Sequence, residues 1–340
     1  MLSSPLLVSL TLLLSLPLLF LLSQHLHLLT PPDADDLALF RRAGWAPHTT
    51  SHLSATPKIA FLFLTNSNLS FSPLWHKFLE GQTHLFNIYI HADPTQPITP
   101  PDPPLPRSIF IPSKPTARAH PSLISAARRL LAKALLHDPR NHYSPLLSQH
   151  CIPLFSLPFT HSFLLSHPHH SFIEILSHDP NLHARYLARG GPRAMLPQLP
   201  FSSFRVGSQF FVLTRRHARL VLRDVSLWDK FRRPCPSDDP CYPEEHYFPT
   251  LLSMLDPHAC TGFTLTRVNW TGSWDGPPHL YTAPEISPEL LHRLRHSNSS
   301  HVYLFARKFA PECLPPLMDI ADDVIFRNST IGHYFLLSLI

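Results

Sequence analysis

The chain has 340 residues, room for one large α/β domain or two small ones whose core needs no staples. Apolar residues make up 44% and charged ones 15%, which excludes wholesale disorder, and 39 prolines against 9 glycines without a G-X-Y period exclude collagen. The formal charge of +5 is spread over cations that come singly or in pairs such as Arg41-Arg42 and Arg232-Arg233, so no run tracks a nucleic-acid backbone and an anionic small molecule is the better match.

The first charged side chain is Asp33. Leu2 to Leu22 is nearly all Leu, Ser, Val and Phe, and as a helix it would reach about 31 Å, enough to cross a bilayer. A cleaved signal peptide is the rival reading, but the run is long for one and no small-x-small site follows it. Residues 1–22 are therefore expected to be an uncleaved signal anchor. Residues 23–57, with little periodicity, read as a stem. Four N-x-S/T sequons, at Asn68, Asn269, Asn298 and Asn328, fit a lumenal chain carrying N-glycans. Five cysteines allow two bridges at most, with Cys235 and Cys241 placed for a local disulfide.

A folded domain opens at residue 58. Ile59 to Leu64 is a continuous apolar run, the mark of a strand buried on both faces. A short helix is expected from Phe71 to Glu80, stopped by Gly81, and a second strand from Phe86 to His91. After the proline-rich loop 97–106 comes a brief strand at Ser108 to Ile111. Leu123, Ala126, Ala127, Leu130, Leu131, Ala134 and Leu135 then form one apolar helical stripe, with Arg128, Arg129 and Lys133 off it. Apolar runs follow at Ser144 to Leu147, Ser171 to Ile175 and Gln209 to Leu213, and helical patterns at Arg215 to Asp224 and His246 to Leu255. This order predicts an α/β layered fold with a mostly parallel sheet, ligands collecting beyond the carboxyl ends of its strands. The loop after Leu64 and Asp93 would lie there.

Pro243-Glu244-Glu245-His246 puts two carboxylates just before a helix, where each raises the pKa of the other towards the range of a general base. A solvated helix start is the plain alternative. Val302 to Phe305 is strand-like and delivers Arg307 and Lys308, two cations that can clamp a diphosphate or simply mark an exposed strand exit. Trp270 and Trp274 can stack on a sugar ring or fill a core. The 25 histidines are scattered, and His167-Pro168-His169-His170 has no cysteine or acid at ligand spacing. No Walker A loop, G-x-G-x-x-G or G-x-S-x-G elbow occurs. The acid-x-acid pair Asp33-Ala34-Asp35 falls in the stem, so side-chain cations are expected to neutralise a leaving diphosphate.

Read together, Lys58 to Thr65, Ile88-Tyr89-Ile90-His91-Ala92-Asp93, Leu147 to Phe155, Gly207-Ser208-Gln209-Phe210-Phe211, Cys241 to Tyr247 and Leu304 to Phe309 resemble, in order and spacing, the core-2/I-branching beta-1,6-N-acetylglucosaminyltransferase family in its plant-type branch. The resemblance spans about residues 58–320. It implies a glycosyltransferase-A-like single domain over residues 58–327, a divergent tail over 328–340, and a single-pass type II protein of the Golgi membrane. It implies metal-independent, inverting transfer of a sugar, N-acetylglucosamine in the family, from a UDP-sugar to a hydroxyl of a glycan or glycoprotein. Glu245 matches the general base, and Lys308 with Arg307 matches the diphosphate holder. Thr65 and Asp93 fall in the donor-nucleotide segment, and Glu174, Arg185 and Trp270 on the acceptor side. No cofactor and no nucleic acid are implied. Departures are Arg118-Ala119 where relatives carry Trp-Gly, Arg267 in place of Trp, and no arginine near Tyr281 for the clamp. They suit a second reading, a degenerate relative that binds glycans or a partner enzyme.

Overall fold

The computed structural model describes residues 34–47, 56–236, 241–273, 277–296 and 301–327. The expected anchor 1–22, Asn298, Asn328, Trp274 and the tail 328–340 lie outside them. No helix among the described residues is long and apolar enough to cross a membrane.

The apolar run after residue 57 forms β1 (Lys58–Thr65), in which every residue is buried. Its pleat divides the molecule into two apolar layers, because successive side chains point to opposite faces. Ile59, Phe61 and Phe63 join Trp75, Phe78 and Phe305 on one side. Ala60, Leu62 and Leu64 meet Ile124, Ala127 and Leu131 on the other. Burying a residue of this size stabilises by about 1.5–3 kcal/mol, so a strand buried on both faces anchors the fold.

Parallel partners flank β1: β2 (Phe86–Ala92) on one side and β4 (Asn141–Ser148) on the other. Beyond β2 lies β3 (Ser108–Phe110), also parallel. A short antiparallel ladder joins β5 (Ile152–Pro153) to a strand near the carboxyl end described below. The main sheet continues from β4 through β7 (Val212–Thr214) to β6 (Ser171–Glu174) and β8 (Cys260–Gly262), in the order β3-β2-β1-β4-β7-β6-β8. Only β7 runs against its neighbours. The expected mostly parallel α/β sheet is therefore present. A second sheet of β5, β10 (Phe305–Arg307) and β9 (Thr266–Val268) packs through Phe305 onto the Phe61 and Trp75 layer.

Two expectations are corrected. The segment assigned to the stem contains a helix, Ala34–Gly44, docked on the domain. Its Asp36 pairs with the guanidinium of Arg129 and with Lys114 Nζ at 3.1 Å, and its Phe40 ring lies 4.4 Å from the Arg128 guanidinium. The arginines expected off the apolar stripe of the helix Ser122–His137 are accordingly buried, Arg128 at 1% exposure. Arg128 is enclosed by Phe40, Trp228 and Tyr247, an aromatic environment that accepts a cation which no aliphatic core would. The lack of a strong apolar stripe in residues 34–44 hid this helix, since much of its docking is polar: the Asp36 ion pairs and the Gly44 carbonyl, which accepts from Arg223 at 2.8 Å, beside the buried Phe40 and Ala43.

Candidate active site

A cleft of about 1210 Å³ opens at the carboxyl ends of the strands. Thr65 ends β1, Ser148 ends β4, Glu174 ends β6 and Arg307 ends β10, and all four line it. Strand polarity thus collects residues from four distant stretches of sequence at one opening. Glu245, Lys308, Arg185 and Trp270 line the same cleft.

The Glu245 wall is built on backbone. Cys235–Cys241 is bonded, as its spacing allowed. The Arg189 guanidinium donates to the carbonyls of Lys230, Phe231 and Arg233, fastening the approach to this bridge. Tyr242 then takes a left-handed φ of 36°, which turns the chain into a 3₁₀ turn at Pro243–Glu245 and on into the helix Tyr247–Leu255. A non-glycine residue holds that conformation only where its surroundings fix it. Here the Tyr242 ring lies between two guanidinium groups, Arg118 at 5.6 Å and Arg185 at 5.3 Å from its centroid.

Two consecutive residues tie this turn to β6. Gly207 N–H donates to the Glu245 carbonyl at 2.9 Å, and Ser208 N–H donates to Glu174 Oε2 at 2.9 Å. Only glycine fits at 207, because a Cβ there would stand 2.0 Å from the Glu174 carbonyl oxygen. Glu174 and Glu245 are thereby held on one wall.

Electrostatics divides the adjacent acids. Burial raises the Glu245 carboxyl above its ordinary value, against the pull of Arg185, whose Nη1 sits 2.8 Å from Oε2. Its side chain keeps 30% of its surface exposed, so solvent and an incoming ligand reach it. Glu244 points inward at 4% exposure, and burial pushes its carboxyl up to about 7. Its Oε1 accepts the Ala119 N–H at 3.1 Å, while Oε2 is buried without a partner. Ala119 itself has a left-handed φ of 56°, so the departure from glycine at this position leaves the turn in place but strained. Glu174 is raised as well, first by burial and further by the Glu245 charge. The pair was legible in sequence; which of the two, both lining the cleft, stays exposed there was not.

The cations line the same cleft. Burial lowers the Lys308 ammonium, and the charges of Arg307 and Arg118 lower it further. The Arg307 guanidinium lies 4.2 Å from the Phe210 ring, and its Nε is buried without a hydrogen-bond partner. Neither Arg307 nor Lys308 forms an ion pair among the described residues.

Other candidates fall elsewhere. Asp93 does not line the cleft: its Oδ1 accepts from Thr95 and its Oδ2 from Thr116, so it fixes the loop that carries Thr116 to the opening. Thr65 sits at the floor with its hydroxyl donated to the Ser67 carbonyl. Trp270 is 53% exposed at the rim, available for stacking and not part of the core. Arg267 lies 5.0 Å from the Tyr303 ring and outside the lining. Asn68 is exposed and Asn269 half-buried. No three His, Cys, Asp or Glu side chains come together as a metal site among the described residues, the histidines near His167 included.

A family model for the Core-2/I-Branching enzyme matches residues 59–295, more than two thirds of the chain. The chain belongs to the Core-2/I-branching enzyme family. Glycosyltransferase BC10 of Oryza sativa subsp. japonica is 32% identical over 224 residues, 58% of this chain and 53% of that protein. The chain thus spans about half the length of the curated relative it matches, and a rice relative agrees with the plant-type branch expected from the sequence. Every site element described above except β10 with Arg307 and Lys308 lies inside the matched span.

Proposed function

We propose that this chain is an inverting glycosyltransferase that moves a sugar, N-acetylglucosamine in the first instance, from a UDP-sugar to a hydroxyl of a glycan or glycoprotein. The observation that carries the reading is that Glu245 lines one cleft together with Lys308 and Arg307. Family membership and the glycosyltransferase named among its relatives support it.

The acceptor oxygen attacks the anomeric carbon as its proton passes to the Glu245 carboxylate, and the bond from that carbon to the diphosphate oxygen breaks. The raised carboxyl makes Glu245 a stronger base than an exposed glutamate. The electron pair leaves with UDP, and the added negative charge forms beside Lys308 and Arg307. Fixed cations in a half-enclosed cleft stabilise such charge without rearranging, an effect worth several kcal/mol. No metal is needed in this scheme. Glu174, Arg185 and the exposed Trp270 take the acceptor side, Arg185 holding Glu245 in place and Trp270 offering a flat apolar face to a sugar ring. The anchor in residues 1–22 would place this domain in the Golgi lumen as a single-pass type II protein.

The test is a panel of UDP-sugars offered to the full-length chain in detergent, with and without EDTA. Transfer that survives the chelator and is lost in Lys308→Ala together with UDP binding is the expected result. A folded wild-type chain that binds no UDP would overturn the proposal and leave the degenerate glycan-binding reading.

A further inference from the structure

Among the described residues, Arg118 is the one Arg or Lys lining the cleft for which neither the family motif nor an ion pair supplies a role. It is exposed and lies in the loop before the helix Ser122–His137. The loop is fixed on both sides of it: Thr116 is held by Asp93 through two hydrogen bonds, and Ala119 N–H is held by Glu244. A long side chain on a pinned backbone has a restricted reach.

The nearby carboxyls of Glu244 and Glu245 are lowered by the Arg118 charge but do not bond to it. Glu245 Oε2 is taken by Arg185 at 2.8 Å, and Glu244 accepts from backbone. Among the described residues Arg118 forms no ion pair, and its guanidinium lies 5.6 Å from the centroid of the Tyr242 ring. Its charge is nonetheless felt by Lys308, whose ammonium it depresses alongside Arg307. Three cations therefore line one cleft, and among the described residues none of them forms an ion pair, although the Glu245 charge is felt by Arg307 and Arg118. Like charges gathered this way are costly in the empty state and are relieved by a multiply charged anion.

We propose that Arg118 is a third anion-binding residue, reaching the donor diphosphate from a second segment of the chain and completing a clamp with Lys308 and Arg307. The inference rests on the donor reading above. It extends that reading by placing the third charge in the loop that leads into the helix Ser122–His137. A diphosphate held from two segments is also oriented, which a pair of adjacent cations on one strand end cannot do alone.

The experiment compares UDP and uridine binding by calorimetry to wild type, Arg118→Gln, Arg118→Lys and Lys308→Ala, at low and high salt, each first shown to keep its thermal midpoint. Arg118→Gln should weaken UDP roughly tenfold or more while leaving uridine, which has no phosphate, unchanged. Arg118→Lys should recover part of the loss, and the salt dependence of UDP binding should flatten in Arg118→Gln. If Lys308→Ala weakens UDP and Arg118→Gln does not, or if uridine falls equally, Arg118 has no part in the clamp although the donor reading stands. If wild type binds no UDP, the donor reading itself has failed.

Discussion

Glu245 lies under two opposing influences: burial, which lifts its carboxyl, and the Arg185 guanidinium, which lowers it, with the lift dominant. A base must be ionised, so turnover is lost as pH falls through that raised value, and the acid limb should lie above the ordinary 4.5. Arg185→Met removes the opposing pull and should move the limb to higher pH, read from a kcat profile; a limb that moves to lower pH contradicts the assignment. Glu244 gives a different pH signature. Between its unfolded value of 4.5 and its folded value of about 7 the folded chain keeps a proton that the unfolded chain has released, so its contribution falls as pH rises across that window. The loss is on the order of 3 kcal/mol by the top of the window. Glu244→Gln should lack this slope, so that its thermal stability relative to wild type rises from pH 4.5 to 7, and a difference that stays constant across that window would show that the Glu244 carboxyl is not raised in the folded chain.

Among the elements, the joint between β6 and the 3₁₀ turn decides whether Glu174 and Glu245 share one wall. Gly207 and Ser208 each donate one backbone hydrogen bond, to Glu245 and Glu174 respectively, and the close approach leaves no room for a side chain. Gly207→Ala should cost about 1–3 kcal/mol in stability and depress turnover beyond that loss, since the backbone must move where Glu245 is held. Thermal melting and a rate measured on the folded fraction check both, and a variant equal to wild type in each would contradict the joint. Strand and helix identities here were legible from local pattern: the unbroken apolar run of β1, the stripe after Ser122 and the helix after Glu245 all follow from side-chain period. The Gly207 contact was not legible, because it depends on Glu174, 33 positions away. Asp93 shows the same limit. Its place after a strand suggested the donor site, yet two threonine loops claim both its oxygens.

For the whole molecule, the fold's lower boundary lies before residue 58. The helix Ala34–Gly44 covers Arg128 and Arg129 on the helix Ser122–His137, supplying Phe40 to one and Asp36 to the other. Without it Arg129 loses its carboxylate and Arg128 loses one of the three rings around it. A chain beginning at Lys58 should therefore be less stable than one beginning at Ala34 by at least about 3 kcal/mol, the cost of removing a buried phenylalanine alone. Denaturant melting of the two chains measures this, and equal midpoints would mean the helix is only appended. The sequence concealed the helix since its partners are ionic and aromatic and lie some 90 residues downstream, whereas the cleft itself could be anticipated from strand order.

The central claim is that Glu245 acts as base in one cleft with cations that hold the leaving diphosphate. The most direct measurement sets sugar transfer by Glu245→Gln beside its UDP affinity. Turnover should drop about a hundred- to ten-thousand-fold with UDP binding retained. Transfer by the glutamine variant at the wild-type rate would contradict the account.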